Sequence, residues 1–266
     1  MEILGYIGAM LIGVSLGLIG GGGSILTVPV LVYLMGVDPV LATAYSLFVV
    51  GGASLIGSIN YMKKGLVSYK TAIVFGLPSM FAVLLTRKYL VPAIPEHILK
   101  IGSFDLNKPT MMMLLFAVMM LLASVSMIRK CKHCTEDDNR GPISFNYPMI
   151  LGEGALVGTL TGLVGAGGGF LIIPALVVLA RLPMKLAVGT SLLIIAIKSL
   201  IGFLGDVSEQ NIEWSFLGIF TALAIGGIFI GSKLSSHIAG NELKKGFGWF
   251  VVLMGVWVLV KEIVLK

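Results

Sequence analysis

Gly17-Leu18-Ile19-Gly20-Gly21-Gly22-Gly23-Ser24-Ile25-Leu26-Thr27-Val28-Pro29 returns later in the chain as Gly162-Leu163-Val164-Gly165-Ala166-Gly167-Gly168-Gly169-Phe170-Leu171-Ile172-Ile173-Pro174. The offset is 145 residues, and it holds without a gap from Gly13 over Gly158 to Gly57 over Gly202. On that register 19 of 45 positions are identical. Apolar composition alone produces coincidences of Leu and Val. It does not bring glycines, a proline and two serines (Ser46 over Ser191, Ser54 over Ser199) into step, so the chain is an internal duplication.

The surroundings of these stretches place them in a membrane. No Asp, Glu, Lys or Arg occurs in Ile3–Val37, Pro39–Met62, Pro109–Ile128, Gly154–Ala180 or Trp214–Ser232. Uncharged apolar runs of about 18 residues or more read as membrane segments. Across all 266 residues, 57% are hydrophobic and 12% charged, and the mean hydropathy is +1.01. That is too little polar surface to cover a soluble globule of this size. The net charge of +6 comes from Lys and Arg lying between apolar runs, where membrane anchoring places them, and not from a nucleic-acid footprint. Met1-Glu2 and the apolar residues after it lack the basic region and cleavage site of a secretory signal, so the first segment is expected to stay.

The expected fold is all-α: a multi-pass cell-membrane protein of two inverted-topology repeats, 1–129 and 143–266, joined by a polar linker, 130–142. Each repeat is a Gly-broken segment followed by three helices. These are expected at about 39–62, 66–88 and 109–129, then at about 185–205, 213–235 and 243–263. As one helix, residues 3–36 would reach about 50 Å, against a hydrocarbon core of about 30 Å. If each broken segment is a single span, the loop cations divide evenly. If each folds back as a hairpin they divide twelve to six, with Arg87 and Lys88 on the poorer side and Lys198 inside the membrane. The positive-inside rule prefers the hairpin and puts the Arg129–Pro142 linker in the cytoplasm. The loops Lys63–Lys70, basic, and Asp206–Glu213, acidic, then face opposite sides.

The glycines carry the chemistry. A helix break inside lipid needs its backbone satisfied by protein or by a wet cavity. A helix restarting after Gly20, Gly21, Gly22, Gly23 and Ser24, or after Gly165, Gly167, Gly168 and Gly169, offers unpaired N–H groups and a positive dipole end to an anion. Pro29 and Pro174, lacking N–H groups, loosen the first turn of each returning helix. Gly13, Gly17, Gly158 and Gly162, spaced by four, suit close helix packing instead.

The Gly-x-Gly-Gly-Gly run before Pro and the Ala-x-x-x-Ser element after it resemble the TauE/SafE sulfite exporter family of membrane permeases. Here these are Gly20, Gly22, Gly23, Pro29, Ala42 and Ser46, then Gly165, Gly167, Gly168, Gly169, Pro174, Ala187 and Ser191. Gly65-Leu66-Val67 and Gly231-Ser232-Lys233-Leu234 also fit. The resemblance covers nearly the whole chain and implies a permease for small sulfur-containing anions such as sulfite, thiosulfate or organosulfonates.

Further residues invite roles. Lys198 lies mid-helix and could offset a bound anion, or snorkel to an interface. Glu153 could carry a coupling proton, or sit wetted at the membrane edge. Thr43, Ser46, Thr190 and Ser191 could donate hydroxyls to an anion, or bond their own helices. Cys131-Lys132-His133-Cys134 supplies too few ligands for a zinc site, so no metal and no cofactor are expected. Met111–Met113, Met119 and Met120 read as pliable packing, and Pro92–Lys108 as a possible interfacial element.

Three function classes remain. A secondary transporter working by alternating access accounts for the duplication and the broken segments, and no phosphate-loop motif supplies ATP use. An anion channel could use the same cradle. A membrane-embedded enzyme needs converging titratable groups, and only Lys198 and Glu153 are on offer.

Overall fold

A computed structural model describes residues 2–101, 104–128, 147–165, 167–178, 182–207, 210–234 and 240–264. The linker with Cys131 and Cys134, and residues 208–209 of the acidic loop, lie outside these. The chain begins with α1 (Glu2–Ile19) and a 3-10 stretch, Gly20–Leu26. Then α2 (Thr27–Pro29) passes into a π turn, Val30–Leu34. The π turn begins one residue after Pro29, whose missing N–H removes a normal helical bond. Next come α3 (Pro39–Lys63) and α4 (Tyr69–Leu85), which runs through a π turn, Thr86–Leu90, into α5 (Val91–Ala93). A hairpin of β1 (His97–Ile101) and β2 (Phe104–Asn107) follows, where an interfacial element was expected. The rest is helical: α6 (Lys108–Ile128), α7 (Tyr147–Val164), α8 (Gly169–Val178), α9 (Met184–Leu204), α10 (Trp214–Leu234) and α11 (Gly240–Val264).

Among the described residues, five helices are long and apolar enough to cross a membrane: Pro39–Lys63, Tyr69–Ala93, Lys108–Val125, Lys185–Leu204 and Trp214–Leu234. The protein is thus an all-α, multi-pass membrane protein. The limbs beside the breaks, Ile3–Ile19, Gly23–Leu34 and Leu151–Val164, are shorter. In the first half the limbs lie antiparallel, as expected of a hairpin. Gly23 packs on Ser15 and Leu16, Gly8 on Val30 and Leu34, and Gly5 on Met35.

Local signals place the ends. Asp38 caps α3, accepting from Val40 N at 2.9 Å and Leu41 N at 3.3 Å, with Pro39 in the first turn. Gly65, at φ +67°, ends α3 with Leu66 N donating to Tyr61 O at 2.9 Å.

The contacts between halves come in exchanged pairs, each the image of the other under the 145-residue shift. Gly13 packs on Ala224, and Gly158 on Ser79. Gly17 packs on Ile228, and Gly162 on Val83; Gly57 and Gly202 meet the same two side chains. Ser68 N donates to Thr190 Oγ1 at 2.9 Å, and Glu213 N to Tyr45 Oη at 2.8 Å. Helix α1 therefore packs on α10 and α7 on α4, while α3 meets α9 and α6 meets α11. These pairings carry the repeat register to positions 83 and 228, well past Gly57 and Gly202.

Most of α3 and α9 is buried, whereas α4 and α10 turn apolar side chains outward, among them Ile73, Phe81, Ile219 and Phe229. An exposed surface of that composition suits lipid. Met113, Met119 and Met120 fill the core between α6 and α11 with Phe116 and Val251, as packing residues.

Candidate functional site in the two glycine breaks

The breaks meet at the centre of the molecule, between α3 and α9. Gly20 and Gly165 occupy matching places and matching backbone, at φ +71° and +72°. Each is pressed against the partner half's central helix, Gly20 on Val188 and Gly165 on Thr43. Gly21 and Gly169 touch backbone to backbone, so a Cβ on either would push the breaks apart. Beyond this the breaks differ. Gly22 and Gly23 belong to a 3-10 stretch, whereas Gly167 and Gly168 both take positive φ, +65° and +68°. Only glycine holds two successive residues there at little cost. A helix of ten residues, α8, starts at Gly169.

The breaks also differ in charge. Lys198, fully buried on α9, donates from Nζ to Thr161 Oγ1 at 3.1 Å. A methyl built on Gly168 would lie 2.7 Å from that Nζ, so the ammonium sits against the second break and does not snorkel. Arg87, counted from sequence among the cations on the poorer side, is instead buried, the residue being 1% exposed. The π turn Thr86–Leu90 prolongs the helix past Leu85 and brings the guanidinium inward. Nη1 donates to Thr43 Oγ1 at 2.9 Å and lies 3.3 Å from Asp206 Oδ2. A methyl on Gly165 would come within 2.6 Å of Nη2. Asp206, read from sequence as part of an acidic loop, is 6% exposed and closes the end of α9.

The hydroxyls divide into bonded and open ones. Ser24 Oγ donates to Gly21 O at 2.7 Å, Thr43 Oγ1 to Val40 O at 2.7 Å, and Ser191 Oγ to Val188 O at 2.8 Å. Thr190 donates to Leu186 O at 2.6 Å and accepts from Ser68 N, which ties it to the loop before α4. Ser46, Ser54 and Ser199 are buried with no partner for Oγ among the described residues. Ser199 Oγ lies near the second break, 3.4 Å from a methyl built on Gly167. Glu153 is half-buried on α7, eight residues before Thr161 and so about 12 Å along the helix from it. The structure does not bring Glu153 to the breaks.

The profile of the family described as sulfite exporter TauE/SafE matches residues 6–258. A probable membrane transporter protein of Xylella fastidiosa is 29% identical over 252 residues, covering 94% of this chain and 91% of its own length. The probable membrane transporter protein YunE of Bacillus subtilis is 29% identical over 234 residues, with 83% and 82% covered. A probable membrane transporter protein of Methanocaldococcus jannaschii is 27% identical over 272 residues, with 97% and 94% covered. No solved structure matches the chain. A duplicated helical fold with two central glycine breaks, matched over nearly its whole length, belongs to the sulfite exporter TauE/SafE family, and the protein is a membrane transporter, not an enzyme.

Proposed function

We propose that the protein moves a small sulfur-containing anion, such as sulfite, thiosulfate or an organosulfonate, across the cell membrane by alternating access. The observation that carries this reading is the pair of buried cations, Arg87 and Lys198, packed against a break where a Cβ on Gly165 or Gly168 would collide with them. Asp206 offsets one of them, and in the low dielectric of a membrane protein the other calls for an anion. The start of α8 adds N–H groups and the positive end of a helix dipole. The candidate site comprises Gly20, Gly21, Gly22, Gly23 and Ser24 of the first break. It also takes in Gly165, Gly167, Gly168 and Gly169 of the second, with Thr43, Ser46, Ser191 and Lys198 around them, and leaves out Thr190, whose hydroxyl is engaged by Ser68 N and Leu186 O.

The two halves, 1–129 and 143–266, act as inverted repeats, and the Arg129–Pro142 linker faces the cytoplasm. Rocking of one hairpin against the other about the Gly21–Gly169 contact opens the site to either side in turn. Proton or membrane potential supplies the drive, with Glu153 as the candidate for a coupling proton.

The test is thermal unfolding of purified protein in detergent with sulfite, thiosulfate, sulfate, taurine, sulfoacetate and neutral controls. A selective upward shift with one sulfur anion, lost in folded Gly167→Val protein, supports the reading. Equal response to every anion, or to none, counts against it.

A further inference from the structure

The duplication fails at the charges. Under the 145-residue shift Lys88 falls on Lys233, but Arg87 falls on Ser232, Lys198 on Ala53, Thr161 on Leu16, Thr43 on Val188 and Asp206 on Tyr61. Each charged group at the second break is replaced in the image by an uncharged one. The first break is faced instead by Val188, Ile173 and Ile195. Two breaks at matching places in the repeat therefore carry one set of charges.

Within that set Arg87 is only half used. Nη1 is engaged by Thr43 and Asp206. Nε and Nη2, the two donors along one edge of the guanidinium, are buried and have no hydrogen-bond partner among the described residues. Buried donors are rarely left unmet, and two parallel N–H groups on one edge match two oxygens of an oxyanion. Gly165 keeps the approach to Nη2 clear, since a side chain there would collide with the guanidinium.

Resting on the transport reading above, we propose that the Nε/Nη2 edge of Arg87 is the oxyanion anchor of the transporter, and that Asp206 is the resident counter-ion that opposes the bound anion. In the empty site Asp206 and Thr43 hold the guanidinium on its Nη1 side, leaving the other edge aimed at the ligand. When an oxyanion arrives, two negative groups share one cation. Asp206 then lowers affinity and eases release, a useful property in a carrier that must let its substrate go.

The test uses the full chain in detergent, titrated calorimetrically with sulfite, thiosulfate, phosphate and acetate. Arg87→Lys keeps the charge but loses the fork, and should weaken binding by about tenfold or more. Asp206→Asn should tighten binding by about three- to tenfold, because a like charge near the anion is gone. Single removal of either partner strains a buried pair, so the double variant Arg87→Gln/Asp206→Asn, with no unpaired charge, is the control for folding. It should fold and fail to bind. The proposal is overturned if Arg87→Lys and the double variant bind like the parent protein. It is equally overturned if Asp206→Asn weakens binding as Arg87→Lys does, the mark of a purely structural pair. Binding of phosphate or acetate alone would refute the sulfur-anion reading while the Arg87 variants still decide the anchor. No binding of any anion would sink both.

Discussion

Replacing Lys198 with methionine should move stability and binding in opposite directions. The ammonium is buried on α9 with one hydroxyl partner, Thr161 Oγ1 at 3.1 Å, and among the described residues no carboxylate pairs with it. Effective desolvation of such a cation costs several kcal/mol, and one neutral hydrogen bond returns only part of that. Methionine keeps the length and most of the volume of the side chain and carries no charge to desolvate. Thr161 loses an incoming hydrogen bond but still donates to Gly158 O at 3.2 Å. Thermal unfolding of the Lys198→Met protein should therefore shift upward, by a stabilisation on the order of 1 kcal/mol or more. Anion affinity should fall. A charge-assisted hydrogen bond contributes about 1.5–3 kcal/mol, which corresponds to a Kd roughly 10- to 150-fold weaker. Titration calorimetry and a melting curve on the same preparation read both quantities. Unchanged affinity in the folded variant would refute the assignment of Lys198 to the site. A lower melting temperature would show that the ammonium is held by structure and not kept for a ligand.

Three further substitutions probe the frame around the breaks. Gly21→Ala forces a methyl into the Gly169 backbone and should cost about 1–3 kcal/mol in chemical or thermal unfolding, or prevent folding. Gly218→Ala, on α10 with nothing within 4 Å of its new methyl, should stabilise by about 0.5–1 kcal/mol in the same assay. Thr190→Val removes the acceptor for Ser68 N and should destabilise by about 1 kcal/mol. Anion affinity should stay as it is in that variant, because the hydroxyl is engaged at the loop before α4; weakened binding would return Thr190 to the ligand.

The duplication, the helices and the breaks could be read from sequence because periodicity and glycine placement are local signals. The long helices begin and end within a few residues of their expected bounds, apart from α4, which continues through its π turn to Ala93. That extension hid Arg87. A basic pair at the end of an apolar run reads as an interface anchor, and no residue in the run announces a π turn that turns one of the pair inward. A signal was nevertheless present. Continuing the repeat register past Gly57 and Gly202 matches Lys88 with Lys233 and leaves Arg87 opposite Ser232, which singles it out as the unmatched charge. Asp206 was concealed in the same way, since the acidic residues after it gave the segment the look of a solvated loop. Thr190 shows the opposite case. Its place beside Ser191 suggested the ligand, but its hydroxyl serves Ser68 N, and Tyr45 does the same for Glu213 N in the other half. Such exchanged bonds depend on which helices become neighbours, and sequence spacing carries no record of that.

Counterflow in vesicles tests the central claim most directly. Purified protein is reconstituted into liposomes loaded with unlabelled sulfite or thiosulfate, and entry of the labelled anion is followed. A carrier that alternates access around one charged break should show saturable entry, accelerated by unlabelled anion inside and abolished in the folded Arg87→Gln/Asp206→Asn protein. Entry that rises in proportion to concentration, indifferent to anion inside the vesicle, would contradict alternating access and identify a channel.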